Sequence, residues 1–107
     1  MLSPHTSLTV VDDGYNLYCF YIANDNVVRM IRIEEGKATK VVEKVATPTP
    51  RSGIAAVMPL QHKDRIVLFY QVWDAGKAEK VDIKAKTLCK KGANEWEALT
   101  ETNLMSG

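Results

Sequence analysis

The chain carries nearly the same pattern twice. One half reads Ser7-Leu8-Thr9-Val10-Val11, then Leu17-Tyr18-Cys19-Phe20-Tyr21, then Val28-Arg29-Met30-Ile31-Arg32-Ile33. The other reads Gly53-Ile54-Ala55-Ala56-Val57, then Ile66-Val67-Leu68-Phe69-Tyr70, then Ala78-Glu79-Lys80-Val81-Asp82-Ile83. Matched positions lie about 50 residues apart, the period of stacked or radial repeat units. Each unit is a succession of short β-branched and aromatic runs separated by turn residues, which predicts strands.

The runs predict four strands per unit. Leu8 to Val11 ends at Asp12-Asp13-Gly14, a strong turn signal. Leu17 to Ile22 is apolar at every position, the pattern of a strand covered on both faces. Asn24-Asp25-Asn26 makes the next turn, with residue types that tolerate left-handed backbone. Val27 to Ile33 is the third strand, with Arg29 and Arg32 placing it nearer solvent. Glu34-Glu35-Gly36-Lys37 turns the chain into a mixed fourth strand, Thr39 to Val45, whose charges suit a sheet edge. Thr47-Pro48-Thr49-Pro50-Arg51 is an extended connector that cannot be helical.

The second unit restarts at Ile54. Pro59 to Asp64 is expected as its first turn and Val72 to Lys77 as a wider loop. The third strand is expected around Ala78 to Ile83, followed by a long connection from Lys84 to Asn94, and Trp96 to Leu99 as the fourth strand. Ala75 to Lys91 is rich in helix formers, but Ala78, Val81, Ile83 and Leu88 keep no i, i+3, i+4 spacing, so strand and loop are expected there. The expected fold class is all-β: one domain over 1–107, made of two four-stranded antiparallel units at 7–46 and 53–100.

Four short strands per repeat with apolar faces is the pattern of a propeller blade. Two blades cannot close a ring, since known closures take about four or more. The outer faces of a lone pair would stay wet, which predicts a homo-oligomer. Three copies of two blades would close a six-bladed ring through a head-to-tail interface. The alternative is a piece of a longer propeller, and Leu104-Met105-Ser106-Gly107 resembles the Arg51-Ser52-Gly53 that leads into an inner strand.

These elements are similar to the fucose-specific lectins of fungi, six-bladed β-propellers, and to short bacterial relatives that build the ring from three two-blade chains. The family pattern is a small-apolar inner strand, an aliphatic–x–aliphatic–aromatic–Tyr strand, a polar turn, a third strand with an acidic residue, and a fourth that opens on Trp. Leu8 to Val11 and Ile54 to Val57 match the first element. Leu17 to Tyr21 and Ile66 to Gln71 match the second, Asn24-Asp25-Asn26 and Asp74-Ala75-Gly76 the turn, and Trp96 the Trp. The resemblance implies a non-enzymatic carbohydrate-binding module for fucosylated glycans, with sites between blades. The family's site uses an Arg on the second strand and a Glu on the third. At those positions this chain has Tyr18 and Val67, and Met30 and Lys80. The implied sites are therefore degenerate, and the alternative is a protein-interaction propeller without sugar binding. Trp96, Tyr18 and Trp73 are the ligand-binding candidates. Trp73 is expected in a loop beside Asp74 and Gly76, as an exposed platform or folded over the blade edge, and Trp96 and Tyr18 read first as packing between blades, their polar atoms hydrogen-bonded.

The remaining chemistry argues against other classes. His5 and His62 have no partner at zinc-like spacing, so no metal is expected. No nucleophile–base–acid pattern and no phosphate-binding glycine loop occurs, so no catalytic residue and no cofactor is expected. A formal charge of +1 gives no field for nucleic acid or an acidic membrane. No apolar run approaches the roughly 18 residues of a membrane-spanning helix. The first residues, Met1 to Ser7, lack a basic region and an apolar h-region, which favours a cytoplasmic or non-classically secreted protein. Cys19, in an apolar strand, and Cys89, in a Lys-rich loop, are expected as free thiols.

Overall fold

The computed structural model describes residues 8–48, 52–59, 61–73, 81–92 and 95–105. Eight strands form two four-stranded antiparallel sheets, each in simple meander order. The first sheet holds β1 (Leu8–Asp12), β2 (Leu17–Ile22), β3 (Val28–Glu34) and β4 (Lys37–Ala46). The second holds β5 (Ile54–Val57), β6 (Arg65–Trp73), β7 (Val81–Lys90) and β8 (Trp96–Met105). No helix occurs among the described residues.

The turns follow their residue types. Asp13 closes the β1–β2 turn: its carboxylate accepts the N–H groups of Tyr15 and Asn16, while Asp12 accepts that of Gly14. Gly14 sits at φ +96, where a side chain would be strained. Asn26 takes the left-handed position of the β2–β3 turn, at φ 63, as its residue type allows. Glu35 and Gly36 both have positive φ, which marks the two-residue hairpin loop whose twist matches the strands it joins.

The two sheets are in register with each other as repeats. Leu8 pairs with Tyr21 in the first sheet, and Ile54 pairs with Tyr70 in the second. The Leu17–Tyr21 and Ile66–Tyr70 runs thus occupy equivalent places. They do not bury equivalent faces. On β2 the fully buried side chains are Tyr18 and Phe20, with Ile22 nearly so and, of the other face, only the small Cys19; on β6 they are Ile66 and Leu68, with Tyr70 nearly so. Along a strand, neighbours point to opposite faces, so the two repeats turn opposite faces to the core between them. That core joins Val11, Phe20, Val28 and Met30 of the first sheet to Ile66, Leu68, Leu88 and Trp96 of the second. β1 packs against β5 and β4 against β8. The Ala56 N–H donates to Thr9 Oγ1 across this seam, at 3.3 Å.

The second sheet departs from expectation in three places. β7 begins at Val81 within the described residues and runs to Lys90, so Lys84 to Lys90 is strand and not connection. β7 escapes notice because it has no apolar run: Lys84, Lys86, Leu88 and Lys90 alternate with Ile83, Ala85, Thr87 and Cys89. The lysines are held in the sheet by the opposite strand, with Lys84 paired to Glu101 at 3.0 Å. β8 extends past Leu99 to Met105, so the fourth strand is longer than expected, and Ser106 and Gly107 lie outside the described residues. Cys89 lies in β7, paired with Arg65 and Glu97, and both cysteines are free thiols. The turn expected at Asp74-Ala75-Gly76, the segment from Ala78 to Lys80, and His5 lie outside the described residues.

Candidate functional site at the end of the intersheet seam

β2 carries Tyr18 to the end of the seam nearest the β1–β2 turn. There its ring meets Trp96, the first residue of β8, edge to face, with centroids 5.2 Å apart and planes at 69°. Such pairs add about 0.5–1.5 kcal/mol beyond the area they bury. Tyr18 is fully buried and Trp96 is 6% exposed. The structure thus brings two of the candidate residues together, in contact with each other and closed to solvent on their broad faces. Trp73, expected in a loop, is the last residue of β6, its backbone paired with Val81.

The polar atoms of this pair are not both bonded as expected. Tyr18 Oη is buried with the Asp13 carboxylate as its polar neighbour, and Trp96 Nε1 is buried and makes no hydrogen bond. The same is true of Arg32 Nε. Arg32 is the cross-strand neighbour of Tyr18 on β3, so it lies on the same face. Its Nη2 reaches Glu34 at 3.5 Å, and its side chain is 13% exposed. Most buried polar atoms in native proteins have partners, and a buried donor without one costs about 1–3 kcal/mol. Two at one end of one seam, Arg32 Nε and Trp96 Nε1, therefore call for a physical explanation.

Charge is concentrated around them. Asp13 is 5% exposed. Burial pushes its carboxyl upward, but the N–H groups of Asn16 and Tyr15, the charge of Lys90 and the Tyr18 hydroxyl outweigh this and hold it below its ordinary value. Lys63 Nζ lies 3.4 Å from the Asp13 carbonyl oxygen. Tyr15, on the same turn, is 92% exposed. An ionised carboxylate, a guanidinium with a free N–H and an exposed aromatic ring are the groups that bind vicinal hydroxyls and the apolar side of a sugar ring.

Asp13, Tyr15 and Arg32 escape a sequence reading for different reasons. Asp13 and Tyr15 read as ordinary turn residues. Arg32 breaks an apolar run and so reads as solvated. Only the register of β2 against β3 places it beside Tyr18, at the strand position next to the one where the resemblance expects Arg. In the second sheet the equivalents of Tyr18 and Arg32 are Val67 and Thr87, a cross-strand pair that cannot supply the same groups.

Among the described residues, no group of three or more His, Cys, Asp or Glu side chains is gathered as a metal site would require, and no helix is long and apolar enough to cross a membrane. Comparison of the chain with family models, with curated proteins and with solved structures returns no match.

Proposed function

We propose that this chain is a non-enzymatic carbohydrate-binding module that supplies two blades of a β-propeller, with three copies completing a six-bladed ring. The observation that carries the sugar reading is the pair of buried donors without a partner, Arg32 Nε and Trp96 Nε1, beside Tyr18, the ionised Asp13 and the exposed Tyr15. Hydroxyl-rich ligands present acceptors that such donors lack within the chain. The ligand class follows from the resemblance to fucose-binding lectins. The substituted Arg and Glu positions imply a binding mode different from that family's, with Arg32 and Asp13 as the polar contacts.

A second reading is a protein-interaction propeller that has lost sugar binding. The closure of both rings of the Tyr18–Trp96 pair favours it. A glycan array followed by titration with free fucosylated sugar separates the two. The lectin reading expects millimolar or tighter binding that Arg32→Gln and Tyr15→Ala each weaken at least about tenfold, the loss of one good polar or stacking contact. A folded protein that binds no sugar at millimolar concentration leaves the protein-interaction reading.

A further inference from the structure

The core between the two sheets is made of unlike faces of like repeats. The face of the first sheet that carries Tyr18, Phe20 and Ile22 meets the face of the second that carries Ile66, Leu68 and Tyr70. Each sheet has one face left over. The first sheet leaves the face of Leu8, Val10, Leu17 and Tyr21, between which the small Cys19 is already covered. By register these five residues are the equivalents of Ile54, Ala56, Ile66, Leu68 and Tyr70, the face the second sheet buries. The second sheet leaves the face of Ala55, Val57, Val67 and Phe69, the equivalents of Thr9, Val11, Tyr18 and Phe20, which the first sheet buries. The two bare faces thus have the same pairing relation as the two faces already joined.

Their composition fits. Leu8 is 56% exposed, Val10 50%, Leu17 39% and Val57 52%, a run of apolar side chains that marks an interaction surface. An open groove of about 340 Å³ lies where β5 begins, lined by Ala55, Phe69, Gln71 and Ile83 of the bare face and by Ile54 and Tyr70 of the other. Part of this hollow has a plain cause. Ala55, which lines it, stands where the first sheet has Thr9.

We infer that the bare face of the second sheet receives the bare face of the first sheet of another copy, repeating the internal seam between chains. Tyr21, Leu17 and Leu8 of the incoming copy take the places that Tyr70, Ile66 and Ile54 take within the chain. The contact nearest β1 is Val10 of one copy beside Ala55 of the next, the counterpart of Ala56 beside Thr9. This rests on the ring reading above and names the surfaces that build it. The pairing is head to tail, so it adds copies until the rotation closes. It also makes the seams alternate: seams within chains carry Tyr18 and Arg32, and seams between chains carry Val67 and Thr87 in their places.

The test is a disulfide trap in the full chain. With Cys19→Ala and Cys89→Ser as background, Val10→Cys and Ala55→Cys are introduced together and singly, and circular dichroism checks the fold. The double variant is expected to form interchain disulfides under mild oxidation, in a ladder that stops at three chains, while each single variant stays uncross-linked. Tyr21→Ala, at the centre of the contact, is expected to raise the dissociation constant of self-association at least about 30-fold. Cross-linking by Val10→Cys alone would mean like faces meet, and would overturn the inference. Self-association by light scattering with no Val10–Ala55 cross-link would overturn the inference and leave the ring standing. A folded chain that stays monomeric at every concentration would overturn both.

Discussion

β2 and β6 are the same strand in two settings, and they bury opposite sides. β2 hides Tyr18, Phe20 and Ile22; β6 hides Ile66, Leu68 and Tyr70. Had the two sheets met as a closed two-fold sandwich, equivalent positions would be buried in both, because a two-fold interface uses the same patch twice. The mismatch means the second sheet is stacked on the first in the same sense, as repeats in a longer array are. A stack of two has two unlike ends, and each end is the surface the other would bind. The difference between β2 and β6 thus connects the packing of one chain to the assembly proposed for it.

The largest expected effect comes from truncating equivalent side chains. Phe20 is fully buried and Phe69 only partly so. Phe20→Ala is expected to lower the unfolding free energy by about 3–5 kcal/mol, the cost of a large core cavity. Phe69→Ala is expected to cost less than half as much in dilute solution, and to weaken self-association instead. Urea unfolding of both variants, with light scattering alongside, checks this. Equal losses in the dilute chain would break the contrast between the two faces.

A smaller effect separates the two tyrosines that end the aligned runs. Tyr70 donates its hydroxyl to Glu101, which also pairs with Lys84. Burial and the Glu101 carboxylate push the Tyr70 hydroxyl well above its ordinary value. For Glu101, burial acts upward, but the Tyr70 hydroxyl and Lys84 outweigh it and hold the carboxyl below its ordinary value. A carboxyl lowered by folding stabilises the protein above its unfolded value, near pH 4, and that contribution is lost as pH falls through the folded value. Tyr70→Phe is expected to cost about 1 kcal/mol at neutral pH. It should also flatten the fall in stability between about pH 5 and 3. Tyr21→Phe, at the equivalent position on the other face, should change neither. Urea midpoints across that pH range test the pair.

Much of the architecture was legible because turns and aromatic runs are local signals. Asp12-Asp13-Gly14, Asn24-Asp25-Asn26 and Glu35-Gly36 end strands by backbone preference alone, and the structure turns at each. β7 was half legible, since its lysines depend on Glu101 across the sheet for their place. Which face of β2 is covered was not legible. Leu17, Tyr18, Cys19, Phe20 and Tyr21 are apolar on both sides, so alternation has nothing to report. The candidate site was less legible still. Tyr18 and Trp96 stand out as aromatics, but their meeting, and the placing of Arg32 and Asp13 around them, come from register and from contacts between residues distant in the chain.

The sense of stacking is tested most directly by which residue lies opposite Thr9. Thr9 Oγ1 accepts the N–H of Ala56, whereas in a two-fold sandwich Thr9 would meet the side of β5 that carries Ala55 and Val57. With both native cysteines replaced, Thr9→Cys is combined with either Ala56→Cys or Ala55→Cys in dilute chains. Intrachain disulfide formation needs Cα atoms within about 7 Å and side chains turned toward each other. The expected result is rapid intrachain closure with Ala56→Cys and none with Ala55→Cys; closure with Ala55→Cys in preference would contradict the same-sense stack.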